Sequence, residues 1–103
     1  MKRVINGLTY NTNTAEEIGQ DDNGVGKSDF RFYDETLYKT KKGRFFLAGE
    51  GGALTKWAEP YPGGGSQFGS GIIALDKKDA LEWCESHDID PDIIAEHFEI
   101  DEA

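Results

Sequence analysis

The stretch that decides the fold is Phe30-Arg-Phe-Tyr-Asp-Glu-Thr-Leu-Tyr-Lys-Thr-Lys-Lys-Gly-Arg-Phe-Phe-Leu-Ala48. It contains six phenylalanine and tyrosine residues, more than any other segment. Aromatic and β-branched residues favour pleated, half-buried surfaces. Its two apolar runs are separated by Lys41-Lys-Gly43, and glycine readily adopts the positive φ that a hairpin turn needs. The stretch therefore predicts a β-hairpin that seeds the core.

Two further segments predict strands of the same sheet. Lys2–Thr12 reads as a strand or as a short hairpin, because Asn6-Gly7 is a frequent turn sequence. Ile72-Ile-Ala-Leu75 is a short, fully apolar run of the kind found in the middle of a sheet. Between these segments, Thr14 and Glu17 have the spacing of a capping box, which predicts a polar loop with a helical start.

The end of the chain predicts two short helices. Asp76 is a good N-cap with Asp79 three residues later, and Asp90 is a second N-cap, followed by proline at the first helical position. Together with the strands, these helices predict an α+β fold in a single domain spanning 1–103. We expect an antiparallel sheet of three to five strands from 1–75 and an acidic helical part from 76–103.

The net charge of −9 is confined to the end of the 103-residue chain. Residues 1–75 carry nine acids against nine lysines and arginines, whereas residues 76–103 carry eleven acids against Lys77 and Lys78. An acidic region repels nucleic acid and membrane surfaces and attracts basic protein surfaces. In a helix, the net charge of this region amounts to about one charge per 4–5 Å, whereas duplex DNA carries one per about 1.7 Å. The charge spacing is therefore more consistent with charge-guided docking on a protein than with mimicry of DNA.

Cysteine content and hydropathy predict a cytoplasmic protein with no membrane association. Cys84 is the only cysteine, which excludes an internal disulfide and is typical of a reducing compartment. No apolar run approaches the roughly 20 residues of a membrane helix. The residues 1–7 lack the apolar core of a signal peptide.

The segment 53–71 is rich in glycine and proline, which predicts an irregular loop. It nevertheless contains the aromatic residues Trp57, Tyr61 and Phe68. Long loops of this kind inside compact domains are usually functional or disordered. Its aromatic rings either fold back over the sheet or are displayed for a partner.

Two patterns resemble metal sites but lack an essential part. Asp88 to Glu99 has acids at several ligand positions of a calcium loop, but Ile93 replaces the glycine that the turn requires and Pro91 favours a helix. Cys84, His87 and His97 supply three zinc-type ligands, without a second cysteine or histidine pair. We therefore expect no metal and no cofactor.

The remaining candidate sites have simpler explanations. The glycine-rich segments 49–52 and 63–66 lack the spacing of a phosphate-binding loop and do not open into a helix. Lys39, Lys41, Lys42 and Arg44 form a basic hairpin tip that is either a nucleic-acid wing or a solvated turn. No nucleophile has an adjacent base and orienting group in the sequence, so we expect no enzymatic activity.

Several motifs carry a resemblance to known proteins. A resemblance to a widespread set of small bacterial and prophage proteins is carried by Asn6-Gly-Leu-Thr-Tyr-Asn-Thr12, Leu37-Tyr-Lys-Thr-Lys-Lys-Gly-Arg-Phe-Phe-Leu47, Gly49-Glu-Gly-Gly52, Gly71-Ile-Ile73 and the helical segment Ala80-Leu-Glu-Trp83. Those proteins share no settled chemistry, so the resemblance implies no catalytic residue. In size and acidity the chain is also similar to anti-CRISPR proteins, which implies an inhibitor encoded by a phage or another mobile element.

Two functional hypotheses follow. In the first, the chain is a non-catalytic inhibitor that docks on a basic nucleic-acid-binding protein, without contacting nucleic acid directly. The residues expected to bind this partner are Glu82, Glu85, Asp88, Asp92, Glu96, Glu99, Trp57, Tyr61 and Phe68. In the alternative, it is a bacterial accessory module that binds a divalent metal or small ligand. An unpaired strand edge would also allow a homodimer.

Overall fold

The computed structural model describes all 103 residues. Its elements, in chain order, are β1 (Lys2–Ile5), β2 (Leu8–Asn11), β3 (Glu16–Asp22), β4 (Tyr33–Lys39), β5 (Phe45–Gly51), β6 (Glu59–Pro60), β7 (Ser66–Gln67), β8 (Gly69–Leu75), α1 (Lys77–Ser86) and α2 (Pro91–His97). All strand pairs are antiparallel. The predicted α+β fold with two short C-terminal helices is confirmed.

The central sheet has four strands in the order β3-β4-β5-β8. The aromatic hairpin is confirmed as β4 and β5, with Tyr38 opposite Phe46 and Gly43 at φ 86° in the turn. The prediction that Ile72–Leu75 lies mid-sheet was wrong, because β8 is an edge strand. An apolar strand needs side chains packed against both of its faces, but it does not need a neighbouring strand on both edges. Both faces of β8 are packed against the two cores.

The helical start predicted at Thr14 was also wrong. The Thr14 N–H donates to Asn11 O in a turn, and Glu16–Asp22 then pairs with β4 as a strand. Ile18 is 4% exposed and packs beneath the helices. Burial of this side chain and the ladder to β4 outweigh a capping signal that is worth about 1 kcal/mol.

The first segment forms a separate two-stranded hairpin rather than a strand of the central sheet. Asn6 and Gly7 occupy its turn with φ values of 51° and 76°, the left-handed geometry that asparagine and glycine tolerate. The Arg3 guanidinium donates to the Ile72 carbonyl of β8 at 3.1 Å. This bond ties the hairpin to the central sheet.

Alternating side chains divide the central sheet into two faces. The helices cover one face, over the helix-side core, which consists of Ile18, Leu37, Phe45, Leu47, Trp57, Ala80, Trp83, Cys84 and Phe98. The β1–β2 hairpin covers the other, over the hairpin-side core, which consists of Tyr10, Phe46, Ala48 and Ile72. The sheet is therefore the middle layer of the molecule.

Both helices begin at the predicted caps. The Asp79 N–H donates to Asp76 Oδ1 and the Asp92 N–H donates to Asp90 Oδ1, each at 2.8 Å. α1 has 10 residues and α2 has seven. Neither helix has the length and apolar character needed to cross a membrane.

Candidate functional site

The six predicted acidic residues lie on the helix layer and are all exposed. We call them the acidic face: Glu82, Glu85, Asp88, Asp92, Glu96 and Glu99. α1 turns Ala80, Trp83 and Cys84 toward the sheet, so the carboxylates of this helix point away from it. No carboxylate of the acidic face takes part in a salt bridge within the chain. The acidic face is therefore uncompensated negative charge.

The three predicted aromatic anchors are in different environments. Tyr61 is 56% exposed and Phe68 42% exposed, whereas Trp57 is only 5% exposed and belongs to the helix-side core. Phe68 stacks on Phe32 with ring centroids 6.3 Å apart. Together with the exposed Phe30, Tyr61 and Phe68 line a cleft of about 290 Å³. Trp57 covers the core, which is the other role considered for it.

The glycine-rich segment 49–52 provides space for Trp57 rather than a cradle of free amides. A Cβ atom on Gly49 would lie 2.6 Å from the Trp57 ring, too close for any real contact. A Cβ on Gly52 would lie 2.5 Å from the Phe30 carbonyl. These glycines allow the loop after β5 to fold tightly against the sheet.

The Trp57 indole contacts the buried carboxylate of Glu35, which was not predicted from the sequence. Glu35 projects from β4 into the helix side and is 3% exposed. Its Oε2 accepts the Trp57 indole N–H at 2.7 Å and lies 2.9 Å from Lys56 Nζ. Its Oε1 accepts the Trp83 indole N–H at 2.9 Å. Buried charge is tolerated only when it is paired and hydrogen-bonded, and Glu35 meets both conditions.

His87 extends this network to β3. Its Nδ1 lies 2.7 Å from Asp21 Oδ2, and its Nε2 lies 4.0 Å from Glu35 Oε1. The imidazole stacks on the Trp83 ring, with centroids 4.5 Å apart. A shallow cleft of about 440 Å³, lined by His87, Lys56 and Arg31 among others, opens beside Glu35.

The environment of Glu35 favours its ionised form. Burial acts to raise the pKa of this carboxyl group, but hydrogen bonds from Lys56, Trp83 and Trp57 together outweigh burial and lower the pKa. The carboxylate therefore remains charged and holds the loop at 56–57 and helix α1 to the same strand. No buried side-chain nitrogen or oxygen is left without a hydrogen-bond partner.

A signal for this network was present in the sequence. In a strand, residues two apart share a face, so Glu35 lies on the same face as Tyr33 and Leu37. A carboxylate on the buried face of the central hairpin needs hydrogen-bond donors. The indole N–H of tryptophan is a donor that can be buried, and the chain has only two tryptophans. The sequence alone did not show that the fold brings Trp83 next to Glu35, because the two residues are 48 positions apart along the chain.

The residues proposed for metal binding do not come together. No group of three or more histidine, cysteine, aspartate or glutamate side chains is arranged to hold a metal ion. Asp92 and Glu96 lie on the helix α2, which replaces the coil of a calcium loop. His87 contacts Asp21 and His97 contacts Glu16. Burial, followed by the charge of Glu85, raises the pKa of the Cys84 thiol and disfavours the thiolate that zinc needs.

Comparisons with protein-family models, curated proteins and solved structures return no match for this chain.

Proposed function

We propose that this protein is a non-catalytic inhibitor that binds a basic nucleic-acid-binding protein through its acidic face. The observation that carries this proposal is the absence of any intramolecular ion pair on six exposed carboxylates of one layer. Their negative field would accelerate encounter with a basic surface and align the helices on it. A cytoplasmic setting and a mobile-element origin belong to the same proposal.

The exposed aromatic residues supply the apolar part of the proposed interface. Binding energy usually concentrates in a few buried aromatic or arginine anchors rather than in surface charges. Tyr61 and Phe68 are available for this role, and Phe30 lies beside them at the same cleft. Asp88 lies at the same end of the sheet, because His87 contacts the end of β3. Charge would then guide encounter while the rings provide affinity.

The arrangement around His87 supports a non-catalytic role. Asp21 and His87 resemble the orienting half of a nucleophile–histidine–acid triad, but His87 Nε2 faces another carboxylate, Glu35. The Thr55 hydroxyl of the neighbouring cleft donates to the Gly52 carbonyl at 2.9 Å. The Cys84 thiol is fully buried. Neither Thr55 nor Cys84 is therefore placed as a nucleophile beside this histidine.

The test is capture of partners from bacterial lysate by the tagged protein at low and moderate salt. The acidic-face variant replaces Glu82, Glu85, Asp92, Glu96 and Glu99 by Gln or Asn. A smaller variant, Glu82→Gln with Glu85→Gln, is compared with Glu17→Gln with Glu50→Gln, which makes the same change of charge on the opposite face of the sheet and also breaks the Lys27–Glu50 ion pair. Captured proteins are identified by mass spectrometry, and their affinity is then measured with purified components.

We expect a basic nucleic-acid-handling protein that the parent and the Glu17 and Glu50 control retain and the acidic-face variants lose. Its affinity for the parent should fall as salt rises, because exposed charges are screened. Equal capture by all forms would mean that the acidic face is merely solvated. Thermal stabilisation by calcium, magnesium or zinc would instead favour the accessory-module hypothesis.

A further inference from the structure

A basic groove lies on the other side of the sheet, between the tip of the β4–β5 hairpin and the β1–β2 hairpin. Its volume is about 380 Å³, and no carboxylate lines it. Its polar lining, apart from the Tyr10 hydroxyl, is Thr9, Asn11, Thr14, Thr40, Lys41, Lys42 and Arg44. The two hairpins are far apart in the sequence, so the groove exists only in the folded chain.

The donors of the basic groove have no partners within the chain. Lys41, Lys42 and Arg44 form no salt bridge, and their side chains make no hydrogen bond. The backbone N–H groups of Lys41 and Lys42 reach no backbone acceptor. Thr40 Oγ1 accepts from the Arg44 N–H at 3.0 Å, which leaves its own hydrogen free to donate. The cations, amides and hydroxyl of these groove-lining residues are thus free to bind an anion.

The turn that carries these cations is held in place by its own hydrogen bonds. The Gly43 N–H donates to the Thr40 carbonyl at 2.9 Å, and the Thr40 N–H donates to the Arg44 carbonyl at 2.7 Å. The strands beneath it are paired along their full length. A rigid turn limits the entropy lost when an anion binds.

We propose that the basic groove binds the phosphate groups of a nucleotide, either free or within a strand. Phosphate presents several acceptor oxygens and matches the fork of arginine as well as the point charge of lysine. Recognition is directed at phosphate rather than at a base, because Tyr10, the aromatic ring of the groove, is only 5% exposed and cannot stack.

The acidic face does not prevent this binding. The helices that carry the acidic face and the β1–β2 hairpin that lines the basic groove cover opposite faces of the sheet. Only Glu99 comes near the hairpin tip, because its neighbour Phe98 stacks on Phe45. Screening at physiological ionic strength acts over about 8 Å, which weakens the repulsion between a bound phosphate and exposed carboxylates that lie farther away than this. The positions of the charges therefore matter more for phosphate binding than the net charge of −9. That net charge was the basis for expecting no direct contact with nucleic acid. The inference does not depend on the proposed inhibitor function.

The test titrates the full chain with tripolyphosphate, with ATP and with a short fluorescein-labelled oligothymidylate. Backbone amide shifts in NMR locate the site, and fluorescence anisotropy gives the affinity for the oligonucleotide. The variant is Lys41→Gln with Lys42→Gln. Its control, Lys77→Gln with Lys78→Gln, removes two exposed lysines of α1 and makes the same change of net charge.

We expect shifts at 40–44, with binding about tenfold weaker in the Lys41 and Lys42 variant and changed less than about twofold in the control. Binding of tripolyphosphate and ATP would assign the groove to free nucleotides, and binding of the oligonucleotide alone would assign it to a strand. No binding of any probe, or equal loss in both variants, would overturn the proposal. The Lys41 and Lys42 variant leaves the helices unchanged, and the control replaces no carboxylate of the acidic face, so the two proposals fail independently.

Discussion

The two faces of the central sheet are held by different forces. On the hairpin side, Phe46 meets Tyr10 and Tyr38 with ring centroids 5.4 and 5.2 Å away, and the contacts are apolar. On the helix side, a larger core surrounds the charged Glu35, with donors from the loop after β5 and from α1. Apolar burial is non-directional, whereas hydrogen bonds to a buried carboxylate fix positions and angles.

This difference bears on how the acidic face is presented. Trp83 lies on α1 between Glu82 and Glu85, so its bond to Glu35 sets the rotation of the helix that carries them. The core under the β1–β2 hairpin contains no comparable buried carboxylate with hydrogen-bond donors. We infer that the helix side is the more precisely positioned of the two layers, as a binding surface requires.

The largest expected effect is that of Glu35→Leu. This change leaves two buried indole N–H groups without an acceptor and should reduce the free energy of unfolding by about 3–5 kcal/mol. Urea denaturation measures the loss. The control is Glu50→Gln, which breaks an ion pair between the half-buried Glu50 and the exposed Lys27 and should cost no more than about 1 kcal/mol. A Glu35→Leu protein as stable as the control would remove the distinction between the faces.

Gly49→Ala tests how closely the helix side is packed. The added Cβ would overlap the Trp57 ring at 2.6 Å, and relieving the overlap should cost about 1–3 kcal/mol. Thermal unfolding gives the cost, and tryptophan fluorescence reports displacement of the ring. Gly26→Ala is the matched control, because no atom lies within 4 Å of its Cβ position. Equal stability of both variants would mean that the loop moves away freely.

Glu35→Gln removes the charge and one acceptor oxygen while keeping the shape of the side chain. At neutral pH we expect a loss of about 2 kcal/mol, because the amide oxygen accepts from one indole N–H only, as a neutral hydrogen bond, and the amide NH2 cannot accept from the other. The pKa of Glu35 is lowered in the folded state from 4.5, so its stabilising contribution is present above that value and lost as pH falls through the folded-state pKa. The parent's advantage over Glu35→Gln should therefore shrink in acid.

The hairpin-side variant Phe46→Leu provides the reference for this pH series. Its cost should stay constant as the pH falls, because no carboxylate belongs to that core. Stability is measured by urea denaturation at each pH. A parent advantage over Glu35→Gln that is unchanged below pH 4.5 would contradict the assignment of Glu35 as ionised and stabilising.

Gly7→Ala probes the hairpin side alone. Gly7 has φ 76°, where an L side chain costs about 1–2 kcal/mol, so stability should fall by about 1 kcal/mol. NMR ring-current shifts should change for Tyr10 and Phe46 but not for the indole N–H groups of the tryptophans. Movement of those indole signals would show that the two faces are coupled through the sheet.

The smallest effect on stability is expected for Glu82→Gln with Glu85→Gln. Both side chains are exposed and unpaired, so unfolding should change by less than about 0.5 kcal/mol. Relief of like-charge repulsion at adjacent helix positions would make the change slightly favourable. Urea denaturation checks this. A large destabilisation would mean that these carboxylates serve the fold, and their effect on partner capture would lose its meaning.

Local signals predicted much of the fold but little of the site. The β4–β5 hairpin and the caps at Asp76 and Asp90 were predictable, because turn and cap chemistry lies within a few residues. The strand β3 was missed because a weak capping signal was overridden by tertiary packing of Ile18. The network around Glu35 was missed because its donors lie 22 and 48 residues away along the chain.

The sequence by itself determined the α+β class, the turn at Gly43, both helix starts and the confinement of negative charge to residues 76–103. Each of these depends on composition or on contacts between near neighbours. Only the tertiary structure decided that Glu35 is buried between two indoles, that Trp57 covers the core, and that the basic tip meets the β1–β2 hairpin in a groove. These features require distant segments to meet, and chain topology alone brings them together.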